Sequence, residues 1–160
     1  MRALDIGLLR ALRTRGHTRS RERAVAAFSR LGEHGMLWLA ISGAGALVDP
    51  ERRPVYVRAA RTVAGVYVMN QAIKVLVRRP RPKLDGLPPL TGTWSDRSYP
   101  SAHAATSFTA ARMLSPALPV APLYALAVGL ALSRPYLGLH YPSDILAGAV
   151  LGAAVAELAS

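Results

Sequence analysis

The chain has 160 residues, the length of one domain, and contains no cysteine, which excludes disulfides, thiolate metal sites and a cysteine nucleophile. Its formal net charge of +11 comes almost entirely from arginine and favours an anionic partner: nucleic acid, an anionic lipid surface or a phosphorylated substrate. Hydrophobic residues make up 51% of the chain, and many of them are small, as in the closely packed helices of membrane bundles.

The N-terminal segment is strongly basic. Eight arginines fall within the first 30 residues, ahead of the first long apolar run, and this predicts a cytoplasmic N-terminus. Leu4, Leu8 and Leu12 recur every four residues in Met1–Gly16, which predicts a short amphipathic helix on the membrane surface. An ordinary soluble helix has the same period. The segment has no continuous apolar core and no small-residue cleavage site, so it is not a secretory signal peptide.

Hydropathy predicts five helical segments after this basic stretch. The first three lie at about Ala24–Val48, Val55–Val77 and Ser101–Leu114. The fourth occupies most of Met113–Ser133, beyond Pro116, Pro119 and Pro122, and the fifth runs from Pro142 to about Glu157. We therefore expect a single all-α domain, with a basic amphipathic segment at 1–23 and an integral membrane bundle of about five transmembrane helices at 24–160. Several uncharged runs are shorter than the roughly 20 apolar residues of a membrane span and would suit buried soluble helices equally well. The membrane assignment requires arginine and lysine side chains at helix ends to reach the interface.

The last segment carries a small-xxx-small pair at Gly148 and Gly152. This spacing lets two helix backbones approach closely. Packing within the bundle and a homodimer interface both fit it.

The first polar cluster lies at the end of the second segment. Lys74 is near the end of that helix, and Arg81-Pro82 follows in a polar, proline-rich loop at 78–99. Both cations could reach one anion near the membrane interface. Basic residues at this position are also ordinary interfacial anchors.

The second cluster, Pro100-Ser101-Ala102-His103, opens the third segment. Proline favours the first position of a helix, and the free N–H groups of Ser101 and Ala102 with the Ser101 hydroxyl then form an anion site. His103 lies in the first turn and faces whatever binds there. A purely structural histidine fits the position too.

The third cluster joins Ser133-Arg134 to His140 and Asp144. Pro142 restarts the chain as a helix, so Asp144 falls in its first turn and close to His140. A carboxylate there can hold one imidazole N–H and leave the other nitrogen free to attack, as in a catalytic dyad. The alternative is a helix-capping aspartate beside an incidental histidine.

The three clusters, K-x6-R-P, P-S-x-H and S-R-x5-H-x3-D, occur in this order and at helix ends. Together they resemble the signature of the type 2 phosphatidic acid phosphatase superfamily. The matching positions are Lys74, Arg81, Pro82, Pro100, Ser101, His103, Ser133, Arg134, His140 and Asp144. The family usually has glycine where Ala102 stands, and alanine keeps the backbone N–H. The resemblance implies a helical bundle and a metal-independent membrane phosphatase.

The resemblance also implies residue roles. His140 is the nucleophile on phosphorus, Asp144 orients it, and His103 is the general acid that protonates the leaving oxygen. The groups expected to bind the phosphoryl oxygens are the side chains of Lys74, Arg81, Ser101 and Arg134 and the N–H of Ala102. Fixed cations can neutralise a phosphoryl group without a metal, and the sequence has no Walker-type loop and no two-metal carboxylate cluster. We expect neither a cofactor nor a metal.

The substrate is expected to be a lipid phosphate. Superfamily members act on phosphatidate, phosphatidylglycerophosphate, polyprenyl pyrophosphates and sugar phosphates. The turn at 32–35 and the variant Pro100–His103 resemble the decaprenylphosphoryl-5-phosphoribose phosphatases, which favours a polyprenyl-linked phosphomonoester. Undecaprenyl pyrophosphate and phosphatidylglycerophosphate are the alternatives, and a lipid-binding membrane protein is the non-enzymatic one.

The expected partners are the substrate and membrane lipids. Nucleic acid is not expected, because no aromatic or groove-reading element accompanies the arginines. An even number of spans between the clusters places them on one face of the membrane. With a cytoplasmic N-terminus, that face is the cytoplasmic one.

Overall fold

The computed structural model describes residues 2–160 and is all-α, as predicted. Its elements are α1 Arg2–Thr14, α2 Arg19–Leu31, a 3-10 turn Glu33–Gly35, α3 Met36–Val48, α4 Arg53–Val77, α5 Ala102–Leu114, α6 Val120–Tyr136 and α7 Pro142–Leu158. Within the described range there is no strand, only an isolated bridge between Pro80 and Arg97. No helix in residues 2–160 has both the length and the apolar character that crossing a membrane requires.

The helix α1 confirms an amphipathic element at the N-terminus, although the predicted segment begins at Met1, outside the described residues. Its side facing the protein is formed by residues four apart, all buried: Asp5, Leu9 and Arg13. The predicted leucine stripe lies on the outer side, where Leu4, Leu8 and Leu12 are 72%, 55% and 40% exposed. An ordinary soluble helix would bury such a stripe, and the position of α1 on a membrane surface stays a prediction.

The single helix predicted over Ala24–Val48 is wrong, because the structure has two helices there with the 3-10 turn between them. His34 and Gly35 have left-handed backbones, with φ of 54° and 73°. Two successive residues in that region end a right-handed helix. Gly32 has a second constraint, since a Cβ there would lie 2.8 Å from ring carbon Cδ2 of His103.

The fourth segment is predicted beyond Pro116, Pro119 and Pro122, and the structure differs in starting it ahead of Pro122. Helix α5 ends at Leu114 and α6 begins at Val120. Pro116 and Pro119 lie between them, and proline lacks an N–H and disfavours the helical conformation of the residue before it.

The helix α5 lies at the centre of the bundle, in contact with α3, α4, α6 and α7. Gly148 and Gly152 of α7 are buried against it. A Cβ on Gly148 would meet the main-chain oxygen of Ser101, and one on Gly152 would meet that of Ala105. The pair therefore packs within the bundle, and because α5 covers this face of α7, a homodimer would need another surface.

Candidate active site

The structure brings side chains from all three sequence clusters to one cavity of about 100 Å³. It lies at the end of the bundle where α4 and α6 finish and α5 and α7 begin. The predicted site residues that line it are Lys74, Arg81, Ala102, His103, Arg134 and His140. Asp144 and Ser101 do not line the cavity, and both are completely buried.

His140 lies between Arg81 and Asp144. Its Nε2 is 3.2 Å from Nη1 of Arg81, and since a guanidinium only donates, Nε2 accepts this hydrogen bond. Its Nδ1 is 3.4 Å from Oδ2 of Asp144, without the geometry of a hydrogen bond. The two contacts assign the proton of the neutral ring to Nδ1 and the lone pair to Nε2.

The surroundings of His140 keep the ring neutral. Burial lowers the pKa of His140 well below its ordinary value, and the positive charges of Arg81, Arg134 and Lys74 lower it further. A neutral imidazole has a lone pair with which to attack phosphorus, whereas an imidazolium has none. The same cations attract a phosphoryl group, so one arrangement favours both the anion and the unprotonated nucleophile.

The cations of the cavity are held by neutral acceptors. Nζ of Lys74 donates to the main-chain oxygen of Arg97 at 3.3 Å, and Nε of Arg81 donates to that of Ser95 at 2.7 Å. Lys74 is only 5% exposed, which does not fit an interfacial anchor. Within residues 2–160, neither of these cations nor Arg134 pairs with a carboxylate. Their charge is therefore available to phosphoryl oxygens.

The start of α5 differs from the prediction. The helix begins at Ala102, so Pro100 does not occupy its first position, and Ser101 is the N-cap, with its hydroxyl accepting from the Ala104 N–H at 3.5 Å. The Ser101 N–H donates to the main-chain oxygen of Asp144 at 3.0 Å, so the expectation that it is free is wrong. The Ala102 N–H, at the helix start, has no protein acceptor in the part of the chain described. The start of this helix therefore offers an anion fewer free N–H groups than predicted.

His103 is tied to the C-terminal turn of α2. Its Nε2 lies 2.9 Å from the main-chain oxygen of Ser29, and a carbonyl only accepts, so Nε2 carries a proton. The Ser29 hydroxyl accepts from Nη1 of Arg134 at 2.8 Å and from Oγ of Ser133 at 3.0 Å. Ser29 therefore joins the second and third clusters, although no sequence pattern singles it out.

Other residues at the site were missed as individuals. Glu33 and His34 of the 3-10 turn line the cavity, and Nδ1 of His34 lies 2.7 Å from the hydroxyl of Tyr67. The sequence analysis expects a turn at 32–35 but does not predict that the turn lines the cavity. Arg79 and Asp5 lie behind Asp144, and the only signal for Arg79 is its place between Lys74 and Arg81 in the first motif.

A family model described as the PAP2 superfamily, the type 2 phosphatidic acid phosphatases, matches residues 55–160. The chain belongs to the PAP2 superfamily. Decaprenylphosphoryl-5-phosphoribose phosphatase of Mycolicibacterium smegmatis is 42% identical to it over 126 residues, which cover 76% of this chain and 68% of that protein. This PAP2 chain is a membrane lipid phosphatase, and thus a hydrolase of phosphoric esters.

Two solved structures share the PAP2 fold. The first transmembrane PAP2-type phosphatidylglycerolphosphate phosphatase from Bacillus subtilis has a TM-score of 0.80 at 22% identity, covering 99% of this chain and 83% of that chain. LpxE of Aquifex aeolicus has a TM-score of 0.82 at 23% identity, covering 98% of this chain and 94% of that chain. At these identities the likeness concerns the fold.

Proposed function

We propose that this PAP2 enzyme removes the phosphate of a polyprenyl-linked sugar phosphomonoester, such as decaprenylphosphoryl-5-phosphoribose, through a phosphohistidine at His140. The observation that carries the proposal is the placement of His140: a neutral ring whose Nε2 lone pair meets Arg81 in a cavity lined by two further cations. A lipid-binding protein without catalysis would have no use for a nucleophile held unprotonated among cations.

The reaction has two displacements. When substrate binds, Arg81 exchanges its hydrogen bond to Nε2 of His140 for one to a phosphoryl oxygen. Nε2 then attacks phosphorus, the ester P–O bond breaks, and His103 protonates the leaving oxygen. Water then attacks the phosphoryl group, giving a proton to His103, and the N–P bond breaks to release phosphate and restore His140. Because the Ser29 carbonyl holds the Nε2–H of His103, Nδ1 is the nitrogen left to carry the transferred proton.

The cations supply the electrostatic part of catalysis. Lys74, Arg81 and Arg134 would contact the equatorial oxygens together with the Ala102 N–H, and the Ser101 hydroxyl remains a proposed ligand from the family resemblance. Phosphoryl transfer is promoted mainly by positioning and charge neutralisation. We propose that these fixed cations act in place of a metal ion.

The mouth of the cavity favours a substrate with hydroxyl groups. Glu33 is the only carboxylate that lines the cavity within the described residues, and Gln71 and Tyr67 line it too. A carboxylate near a phosphate site repels the phosphate, but it accepts hydrogen bonds from neighbouring sugar hydroxyls. Phosphatidate offers no such hydroxyl, whereas a 5-phosphoribose linked through its C1 offers two. The name of the mycobacterial relative points to the same substrate class.

A substrate panel tests this proposal. We expect the purified enzyme, in detergent with excess EDTA, to release phosphate from a polyprenylphosphoryl pentose phosphate with a higher kcat/KM than from undecaprenyl pyrophosphate, phosphatidylglycerophosphate or phosphatidate. His140→Ala prepared in the same way is the blank. Faster turnover of pyrophosphate or a glycerolipid would contradict the substrate assignment. Activity that EDTA abolishes and magnesium restores would contradict the metal-free site.

We further propose that α3 to α7 are embedded in the membrane as a multi-pass bundle. Large apolar side chains more than half exposed lie on α3, α4, α6 and α7, among them Leu47, Val48, Val68, Leu76, Leu132, Leu146 and Val150. Exposed apolar surface of this extent is typical of a lipid contact. Arginine and lysine side chains near the helix ends would extend to the interface.

The proposed orientation places the active site on the cytoplasmic face. The contact between Asp5 of α1 and Ser143 at the start of α7 puts the basic N-terminal helix at the catalytic end of the bundle. Because α7 starts at this end, Ser160 lies at the other end. In intact cells, an impermeant maleimide should label Ser160→Cys and should label Ser95→Cys, beside the cavity, only after permeabilisation. Labelling of Ser95→Cys in intact cells would reverse the orientation.

A further inference from the structure

A network of hydrogen-bonded polar side chains runs from the N-terminal helix to the proposed nucleophile. Nη2 of Arg79 donates to Oδ2 of Asp5 at 2.8 Å, and Nη1 of Arg79 donates to Oδ1 of Asp144 at 2.8 Å. The other oxygen of Asp144, Oδ2, accepts from the N–H of Tyr141 at 2.9 Å and lies 3.4 Å from Nδ1 of His140. Both carboxylate oxygens are thus held, and the Asp144 plane is fixed relative to the imidazole.

Asp5 lies at the end of this network that is farthest from His140 and binds it to α7. Its Oδ1 accepts from the N–H of Ser143 at 2.9 Å, and its Oδ2 accepts from the Ser143 hydroxyl at 2.6 Å. That hydroxyl also accepts from Nη1 of Arg79 at 2.7 Å. Asp5 therefore binds the guanidinium and the first turn of α7 at once, and it adds a negative charge at the N-terminal end of that helix.

Two groups of this network, Asp5 and Arg79, hold each other in their charged forms. Burial raises the pKa of Asp5, but hydrogen bonds from Ser143 and Arg79 outweigh it, and the net pKa is below the ordinary value. Burial lowers the pKa of Arg79, but its hydrogen bond to Asp5 and the charge of Asp144 raise it above its ordinary value. Asp5 and Arg79 are therefore ionised at neutral pH. The Asp144 carboxylate, which has no exposed surface, thus pairs with a charged guanidinium.

The position of the Arg79 side chain depends on its contacts. Its side chain is 25% exposed, and an arginine that reaches solvent can turn away from a buried acceptor. The ring of Tyr141 lies 4.1 Å from the Arg79 guanidinium carbon and restrains one side of it, while Asp5 restrains the other end. Without Asp5, the Arg79 guanidinium would have one carboxylate partner in place of two.

We propose that Asp5 and Arg79 are positioning residues for this phosphatase: Asp5 fixes Arg79, Arg79 fixes Asp144, and Asp144 orients the His140 ring for attack. The inference rests on the proposed roles of His140 and Asp144. It gives α1 a function beyond a surface helix, because its buried face would set the geometry of a reaction at the other side of Arg79.

Arg13 provides the matched control. It lies on the same buried face of α1, two turns from Asp5, and is 5% exposed, close to the 6% of Asp5. Its Nη2 donates to the main-chain oxygen of Pro88 at 2.7 Å, so it fastens α1 to the protein without reaching Asp144. Arg13→Gln should therefore weaken the attachment of α1 without acting on the catalytic pair.

The experiment compares four purified full-length variants with the wild type: Asp5→Asn, Arg13→Gln, Asp144→Asn and the double variant Asp5→Asn/Asp144→Asn. We expect Asp5→Asn to lower kcat roughly 10-fold, the lower end of the loss seen when a group that orients a reacting residue is removed, with KM within about twofold of wild type. Arg13→Gln should keep the wild-type kcat. The double variant should have the kcat of Asp144→Asn alone, because the effects of substitutions within one hydrogen-bonded network are not additive.

The outcomes separate the inference from the proposed function. Losses that multiply in the double variant, or equal losses in Asp5→Asn and Arg13→Gln, overturn the positioning role while leaving the mechanism intact. Wild-type kcat in Asp144→Asn overturns the proposed orientation of His140, and the positioning role with it. Thermal unfolding of all variants shows whether each is folded. If Asp5→Asn unfolds at a lower temperature than the wild type, Asp5→Glu, which keeps the charge, should recover part of the lost kcat.

Discussion

Replacing His140 with alanine should abolish phosphate release, by about 10⁶-fold, the size of loss seen when the nucleophile of a hydrolase is removed. Of the three histidines that line the cavity within residues 2–160, only His140 has a ring nitrogen hydrogen-bonded to a cation, and Lys74, Arg81 and Arg134 are themselves positively charged. The measurement is phosphate release from the preferred lipid phosphate under single-turnover conditions. Binding of the substrate should survive, because the cations remain.

A second histidine serves as the control. His17 stacks on Tyr136, with ring centroids 4.1 Å apart, and it does not line the cavity. His17→Ala should therefore keep near-wild-type turnover. Near-wild-type phosphate release by His140→Ala would show that another group or a water molecule attacks phosphorus directly.

Replacing His103 with alanine should lower kcat by about 10²–10⁴-fold on a lipid phosphate, the range for loss of a general acid. The physical reason is that an alkoxide leaves poorly without a proton. With an aryl phosphate such as p-nitrophenyl phosphate, the leaving oxygen needs no proton, and the loss should become small. The measurement is the ratio of the two losses.

Arg134→Gln is the comparison for this second prediction. Arg134 lies beside Ser29 with His103, but its proposed partner is the phosphoryl group rather than the leaving oxygen. Its loss should therefore be similar for both substrates. An equal loss for His103→Ala on the lipid and the aryl phosphate would assign His103 to binding or structure instead of proton transfer.

The elements that the sequence predicts well are those with local signals. Helices α4, α5 and α7 begin and end within two residues of the predicted bounds, because proline, charged residues and loop composition mark their ends. The three motifs lie at those ends, so their meeting at one side of the bundle follows from the alternating direction of the helices. Asp144 close behind His140 follows from the i, i+4 spacing around a helix start.

The features that the sequence does not predict depend on contacts between distant parts of the chain. Ser29 meets Ser133 and Arg134 more than 100 residues away, and Asp5 meets Ser143 across 138 residues. A lone serine or aspartate has no spacing that identifies such a partner. The leucine stripe of α1 is equally ambiguous, because period alone does not say which face of a helix is buried.

The break between α2 and α3 is an intermediate case. Gly32 and Gly35 are turn signals, but the apolar residues on both sides continue with a helical period and favour one long helix. What the period does not show is the left-handed backbone of His34, which with that of Gly35 ends the helix. The turn then places Glu33 and His34 at the cavity.

The formation of a phosphohistidine at His140 can be measured directly. A lipid or aryl phosphate labelled with radioactive phosphorus is mixed rapidly with the enzyme, the reaction is quenched with alkali on the millisecond scale, and the labelled peptide is identified by mass spectrometry. We expect acid-labile, alkali-stable label on His140 that chases into inorganic phosphate with unlabelled substrate and is absent from His140→Ala. A burst of leaving group with no label on His140, or with label on another residue, would contradict the mechanism.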